Sequence, residues 1–282
     1  MTRKTISFSN DSSLGGFLYQ NRSRILTKLN SFISAGKDKL HLVLDFDRTL
    51  TLSQNRFGEN VTTWEILKGY LTPSGQKEYQ RFYDFYRRLE VENQLKRTHA
   101  VEWWEGVLNL FIKERLKRSS IEHIVARDMP ARSYARELFS VCQSKGIPTI
   151  IISAGIKDVI DIWCKSHVIK PTKVLATKLF FSPKGFVRGW YRNSFIYVLN
   201  KREKGHAEIS NIRSGRPNTI LIGDDVYDSQ MVDGKENVIR IMVHDPRKDA
   251  ADESDYKLLQ KFDLLIKTGD LLPVIKLLEL FP

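Results

Sequence analysis

The chain alternates between short, uninterrupted apolar runs and longer amphipathic stretches. Four runs carry Ile, Leu and Val with little polar alternation: "LHLVLDF" (40–46), "PTIIISAG" (148–155), "NTILIGDD" (218–225) and "NVIRIMVHD" (237–245). A fifth candidate is "DLLIKTGD" (263–270). Such runs suit strands of a parallel sheet covered on both faces. Helical periodicity separates them, as in "ARSYARELFSVCQSKG" (131–146) and "GIKDVIDIWCKSH" (155–167). Strand, helix, strand order predicts an α/β fold, a Rossmann-like parallel sheet with right-handed crossovers.

The segment 52–127 breaks that rhythm. It is rich in helix formers and aromatics, as in "KEYQRFYDFYRRLE" (77–90) and "HAVEWWEGVLNLFIKERL" (99–116), and shows no strand pattern. Its place directly after the first strand's loop predicts a mainly helical cap at 52–127, inserted into an α/β core formed by 1–51 and 128–282. Farther on, "KLFFSPKGFVRGW" (178–190) predicts a hairpin turning at 183–185.

Composition narrows the classes. Apolar content of 41% and charged content of 28% are ordinary for a globular protein. No apolar stretch approaches the roughly 18 residues a membrane span needs, so no membrane association is expected. The first residues, "MTRKTISFSNDSSLGG", lack the apolar segment of a secretory signal. Cys142 and Cys164 are the two cysteines, in no CxxC pair. A cytoplasmic protein without disulfides is the expectation.

The net charge of +12 raises the question of nucleic acid. The basic residues are spread along the chain, however. Of the short clusters, "KERLKR" (113–118) is expected to be the solvated face of a helix. No zinc-finger or RNP motif is present, and a basic surface equally attracts small phosphate esters. Nucleic acid is therefore not the expected partner.

Ligands of open α/β sheets bind outside the carboxyl ends of the strands. Those ends carry Asp45 and Asp47, Ser153, and Asp224 with Asp225 and Asp228, and Lys201 follows the hairpin. Uncompensated, so many acids at one edge repel one another. A hard cation such as Mg²⁺, which takes oxygen ligands, resolves that conflict and also holds phosphate. One carboxylate can attack phosphorus, and a second, two residues on, can protonate the leaving alkoxide and then activate water. A serine hydroxyl and a lysine ammonium can hold the phosphoryl oxygens.

The set D-x-D-x-T, S-A-G, a lysine and G-D-D-x-x-D resembles the four motifs of the haloacid dehalogenase superfamily of phosphohydrolases: "DFDRTLT", "IISAG", Lys201 and "GDDVYDSQMVDG". "VEWW" (101–104), "SAGIKDVI" (153–160), "GFVRGW" (185–190) and "NK" (200–201) narrow the resemblance to the cytosolic pyrimidine 5′-nucleotidase (type III) family, from about residue 40 onward. The resemblance implies that Asp45 is the nucleophile and Asp47 the acid/base. It implies Mg²⁺ on the Asp45 carboxylate, the Asp47 carbonyl and Asp224. Phosphate would rest on Ser153, the Ala154 amide and Lys201. Asp228, beside Asp225, would support the metal's waters or orient Lys201. Glu90 matches the family's cap glutamate, which receives the nucleobase.

The activity so implied is Mg²⁺-dependent hydrolysis of nucleoside monophosphates, CMP and UMP or a methylated GMP, through an aspartyl-phosphate. A carboxylate only accepts hydrogen bonds, so Glu90 alone would favour the cytosine amine or a cationic methylguanine over uracil. The alternatives are a phosphatase of another small ester, such as a sugar phosphate or phosphoserine, and a basic nucleic-acid-binding protein with a degenerate core. The intact acid set argues against the last. A monomer is compatible with the sequence, which leaves the oligomeric state open. Two positions depart from the family. Arg48 stands where an uncharged residue is usual, either reaching the substrate or pairing at the surface, and Val107 replaces a base-pocket serine. Trp103 and Trp104 are expected in the core, with the alternative that one of them lines the cap's inner face; Cys164 is expected in the core, and His206 at the surface or a helix start.

Overall fold

The structure, a computed structural model, describes residues 15–244 and 255–282. Among them the apolar runs become strands: β1 (Phe17–Leu18), β2 (Leu40–Leu44), β3 (Thr149–Ile156), β4 (Lys173–Thr177), β5 (Leu179–Phe181), β6 (Val187–Trp190), β7 (Asn218–Gly223), β8 (Val238–Val243) and β9 (Leu264–Ile266). Seven form one sheet in the order β1-β9-β8-β7-β2-β3-β4, parallel except for β1, while β5 and β6 pair as the separate hairpin. All five residues of β2 are buried, as a strand flanked on both edges and covered on both faces requires. The chain runs β2, β3, β4 in one direction, then crosses back to lay β7, β8 and β9 on the other side of β2. The order therefore reverses between β2 and β7, the place where such sheets bind ligands.

Helices α1 (Arg22–Ala35), α2 (Glu65–Lys68), α3 (Pro73–Val91), α4 (Arg97–Lys113), α5 (Arg118–Asp128), α6 (Ala135–Ser144), α7 (Lys157–Ser166), α8 (Ser210–Gly215), α9 (Asp255–Leu258) and α10 (Leu272–Glu279) connect the strands. Between β2 and α6 the elements are all helices, the first beginning at Glu65, and 45–64 is loop with isolated bridges. The long α3 starts where its sequence allows: the Thr72 hydroxyl accepts the Gly75 amide at 3.1 Å and Pro73 takes the first turn. None of the described helices is long and apolar enough to cross a membrane.

Several expectations shift. The two-residue β1 carries no period and was not expected, nor was β4, whose "KVLAT" is short and bounded by polar residues. The expected strand at 237–245 ends at Val243, and Asp245 lies outside the described residues. The cluster "KERLKR" is solvated, its four basic residues all exposed, but it is not the face of one helix. It spans the end of α4 and the start of α5, Leu116 is buried, and Val187 N donates to Leu116 O at 2.9 Å. Arg115 and Lys117 stand over the Phe186 ring at 4.5 and 4.9 Å. These cations thus cover the aromatic face of the hairpin.

Candidate active site

The sheet's switch point gathers the acids. Asp45 follows β2 directly, and its amide donates to Ile222 O on β7 at 2.9 Å, so the pairing of the two strands fixes its backbone. Its carboxylate receives the Thr49 hydroxyl at 3.1 Å and the Lys201 ammonium. Lys201 also donates to Asp228 Oδ1 at 2.7 Å. The other oxygen of Asp228 accepts the amides of Asp224 and Asp225, both at 3.1 Å, and so shapes the turn after β7. Asp45, Asp224 and Asp228, all buried, each bring one carboxylate oxygen within 4.8 Å of the others'.

One buried ammonium does not balance three buried carboxylates. Burial first, then the neighbouring acids, push Asp45 and Asp228 up against the opposing pull of Lys201. Burial would lower Lys201, but Asp228 and Asp45 outweigh it and hold the ammonium charged. Asp47 takes a different course. Its two oxygens accept the Thr63 amide at 2.8 Å and the Thr63 hydroxyl at 2.9 Å. Burial raises its pKa to about 6 in spite of those bonds. A carboxyl so placed can carry a proton near neutral pH.

Ser153 is buried within β3, where the pairing with β4 shifts register after Ile152, and its oxygen accepts the Gly155 amide at 3.0 Å. The Ala154 carbonyl accepts two indoles from the helical segment, Trp104 Nε1 at 2.7 Å and Trp64 Nε1 at 3.2 Å. These residues border a cavity of about 190 Å³ that also reaches Asp45, Asp47, Lys201, Asp224, Asp225 and Asp228. Its remaining wall comes from the helical segment and includes Tyr79, Tyr83, Glu90, Trp103 and Val107. The site residues expected from the sequence thus border one cavity, Glu90 included. Arg48 borders it too, in the left-handed region at φ 64°. Trp103 and Trp104, expected as core, are cavity walls as well.

Sequence reasoning missed four supporting groups. Thr49 was visible as the T of D-x-D-x-T, without its bond to Asp45. Thr63 gives no local signal, because its partner lies 16 residues away. Arg132 is 2% exposed and donates to Thr49 O at 2.8 Å, to Gly269 O at 2.7 Å and to Arg48 O. It ties the loop after the nucleophile candidate to the far end of the chain. Arg87, which pairs with Glu90, stands at i,i+3 spacing that a helical reading could have paired.

Residues 49–280 match the sequence profile of the family described as Pyrimidine 5'-nucleotidase (UMPH-1). The chain belongs to this family. Among curated relatives, a 7-methylguanosine phosphate-specific 5'-nucleotidase A of Xenopus laevis is 26% identical over 88% of this chain and 89% of its own length. A Homo sapiens protein, the 7-methylguanosine phosphate-specific 5'-nucleotidase, is 24% identical over 92% and 89%. Of solved structures, cytosolic 5'-nucleotidase IIIB bound to cytidine superposes with a TM-score of 0.81, at 22% identity over 94% and 93%. A phospho-aspartyl intermediate analogue of phosphoserine phosphatase gives 0.55, at 20% identity over 85% and 98%. The expected α/β phosphohydrolase fold is therefore the fold observed, and as a 5′-nucleotidase family member the chain is a phosphoric monoester hydrolase.

Proposed function

We propose that this chain hydrolyses pyrimidine nucleoside 5′-monophosphates, with 7-methylguanosine monophosphate as a further candidate, through an aspartyl-phosphate on Asp45. One observation carries the reading. The Asp45, Asp224, Asp228 and Lys201 cluster lies at the sheet's switch point and opens into a cavity walled by aromatics and Glu90. A relative named as specific for 7-methylguanosine phosphate and a structural neighbour bound to cytidine support it.

An Asp45 oxygen attacks phosphorus while the bond to the ribose 5′ oxygen breaks, and Asp47, protonated beforehand, gives that oxygen its proton. Asp47 then takes a proton from water as the water oxygen attacks phosphorus and the acyl-phosphate bond breaks, releasing phosphate and restoring Asp45. Ser153, the Ala154 amide and Lys201 hold the phosphoryl oxygens. Three crowded, buried carboxylates are a donor set for a hard cation. Asp45 and Asp224 would hold Mg²⁺, with Asp228, beside Asp225, supporting its waters. The ion supplies positive charge against the acids and the phosphoryl group.

The helical stretch 52–127 serves in this reading as a cap over a core of 1–51 and 128–282, excluding bulk water and restricting substrates to small esters. A cytosolic setting agrees with a Caenorhabditis elegans relative named putative cytosolic 5'-nucleotidase 3.

The test is phosphate release from CMP, UMP, 7-methylguanosine monophosphate, phosphoserine and ribose 5-phosphate, with and without Mg²⁺. Nucleotides should lead and Mg²⁺ should be required. Asp45→Asn should lose activity by about 10³-fold or more, since it removes the nucleophile and little volume. Full activity in that variant, or phosphoserine turned over as fast as CMP, would overturn the reading.

A further inference from the structure

Seen from the sequence, Glu90 is a bare acceptor, suited to a cytosine amine or a cationic methylguanine. The structure gives it a partner. Arg87, one turn earlier on α3, pairs its Nη1 with Glu90 Oε2, and both side chains border the cavity. Glu90 is 9% exposed and Arg87 partly buried, so the pair is shielded from water on its carboxylate side. Asp225 and Tyr227, from the turn after β7, border the same cavity, and the guanidinium senses Tyr83 and Asp225 as well as Glu90. Tyr86 stacks on Trp103 at 5.7 Å, which in turn meets Trp104 edge-on at 4.8 Å and so stands rigid. Flat aromatic walls with one acceptor and one donor group suit a heterocyclic base.

Taking the nucleotidase reading above as its basis, we propose that Arg87 is a specificity-determining residue that directs this chain toward neutral pyrimidines and away from the 7-methylguanine cation. The first reason is charge. Glu90 with Asp225 nearby would attract a cationic ring, but a guanidinium already on Glu90 offsets part of that attraction and repels the ring's own charge. The cation must displace Arg87 or share Glu90 with it. The second reason is pattern. Guanidinium only donates and carboxylate only accepts, so together they match a base edge with an acceptor beside a donor. Cytosine offers N3 beside its N4 amine, and uracil, shifted by one position, offers O2 beside N3–H in the same order. Uracil, whose O4 Glu90 alone would repel, thus gains from Arg87 a donor for O2 while its N3–H reaches Glu90.

The experiment compares kcat/KM for CMP, UMP, 7-methylguanosine monophosphate and ribose 5-phosphate in the parent, Arg87→Met and Arg87→Lys. Methionine keeps much of the aliphatic volume and removes the charge and the donors. In Arg87→Met the 7-methylguanosine monophosphate to CMP ratio should rise about tenfold or more, and the UMP to CMP ratio should fall several-fold. Ribose 5-phosphate, which has no base, should be unaffected. Arg87→Lys keeps the charge and should keep the parent's discrimination against the cation. An unchanged 7-methylguanosine monophosphate to CMP ratio in Arg87→Met would overturn the proposal. So would a loss falling equally on ribose 5-phosphate, which marks a residue that only supports the helix. A parent that handles ribose 5-phosphate as well as any nucleotide would instead sink the nucleotidase reading, and this proposal with it.

Discussion

The two walls of the cavity are built by different means. On the core wall the backbone places these groups: Asp45 on a strand-paired amide, Ser153 within β3, and Asp228 bonded to two successive amides. On the helical wall side chains place one another, through the stacked Tyr86 and Trp103 and the Arg87–Glu90 pair. A group fixed by the backbone cannot move without disturbing the sheet, whereas one fixed by neighbouring side chains changes with a single substitution. Reaction chemistry suits the first kind of wall and substrate choice the second.

Gly155 tests how separate the walls are. A Cβ at this position would lie 2.1 Å from Thr63 Oγ1 and 3.0 Å from Ser153 Oγ. Thr63 belongs to the helical stretch, yet it supplies both hydrogen bonds to Asp47. Gly155→Ala should therefore push Thr63 off Asp47 and lower kcat by about 10- to 100-fold. The loss should be equal for CMP and ribose 5-phosphate, because the role proposed for Asp47 is on the ester and not on the base. A variant that changes only the ratio of nucleotides would place Thr63 and Gly155 with the base-facing groups.

A smaller effect concerns stability without metal. Asp47 has a folded pKa of about 6, and burial also raises Asp45 and Asp228 above the ordinary carboxylate value of 3.8. Between 3.8 and about 6 the folded protein binds more protons than the unfolded chain. The stability these groups contribute is complete below 3.8; that of Asp45 and Asp47 is lost as pH rises through about 6, and that of Asp228 only as it rises through about 8. In EDTA the melting temperature should show this fall. Mg²⁺ should restore it at neutral pH, and Asp45→Asn should flatten it by removing one acid from the crowd. A metal-free protein whose stability rises over that window would show that Lys201 alone balances the carboxylates.

The difference between the walls also explains what the sequence made legible. Strand-end acids announce themselves, because an apolar run ending in D-x-D or G-D-D shows both the strand and its cargo, so Asp45, Asp47, Asp224 and Asp228 could be named in advance. The groups that steady them were not legible when their partners were distant: Thr63 meets Asp47 across 16 residues, and Arg132 meets Thr49 across 83. Glu90 could be named only through resemblance. Its partner Arg87 needed the helical register of α3, since i,i+3 neighbours meet only when the segment is a helix. The short β1 and β4 escaped for a simpler reason, as neither run is long enough to carry a period.

The smallest predicted effect lies where the walls join. The Ala154 carbonyl accepts Trp104 Nε1 at 2.7 Å and Trp64 Nε1 at 3.2 Å, so two indoles of the helical stretch hold the residue whose amide is proposed to hold phosphate. Trp104→Phe keeps most of the ring packing and removes the shorter of the two bonds. Because Trp64 remains, the carbonyl keeps a partner, and kcat for ribose 5-phosphate should fall by no more than about threefold. Trp64→Phe alone removes the longer bond and should cost less. The double variant leaves Ala154 O without either donor, so its loss should exceed the product of the single losses, reaching about tenfold. The Trp64 and Trp104 rings meet edge-on at 6.0 Å, which makes such coupling natural. If Trp104→Phe raised KM for CMP while leaving ribose 5-phosphate untouched in both the single and the double variant, Trp104 would belong wholly to the base-facing wall. The indole bonds to Ala154 would then be a consequence of packing and not a support for the phosphate.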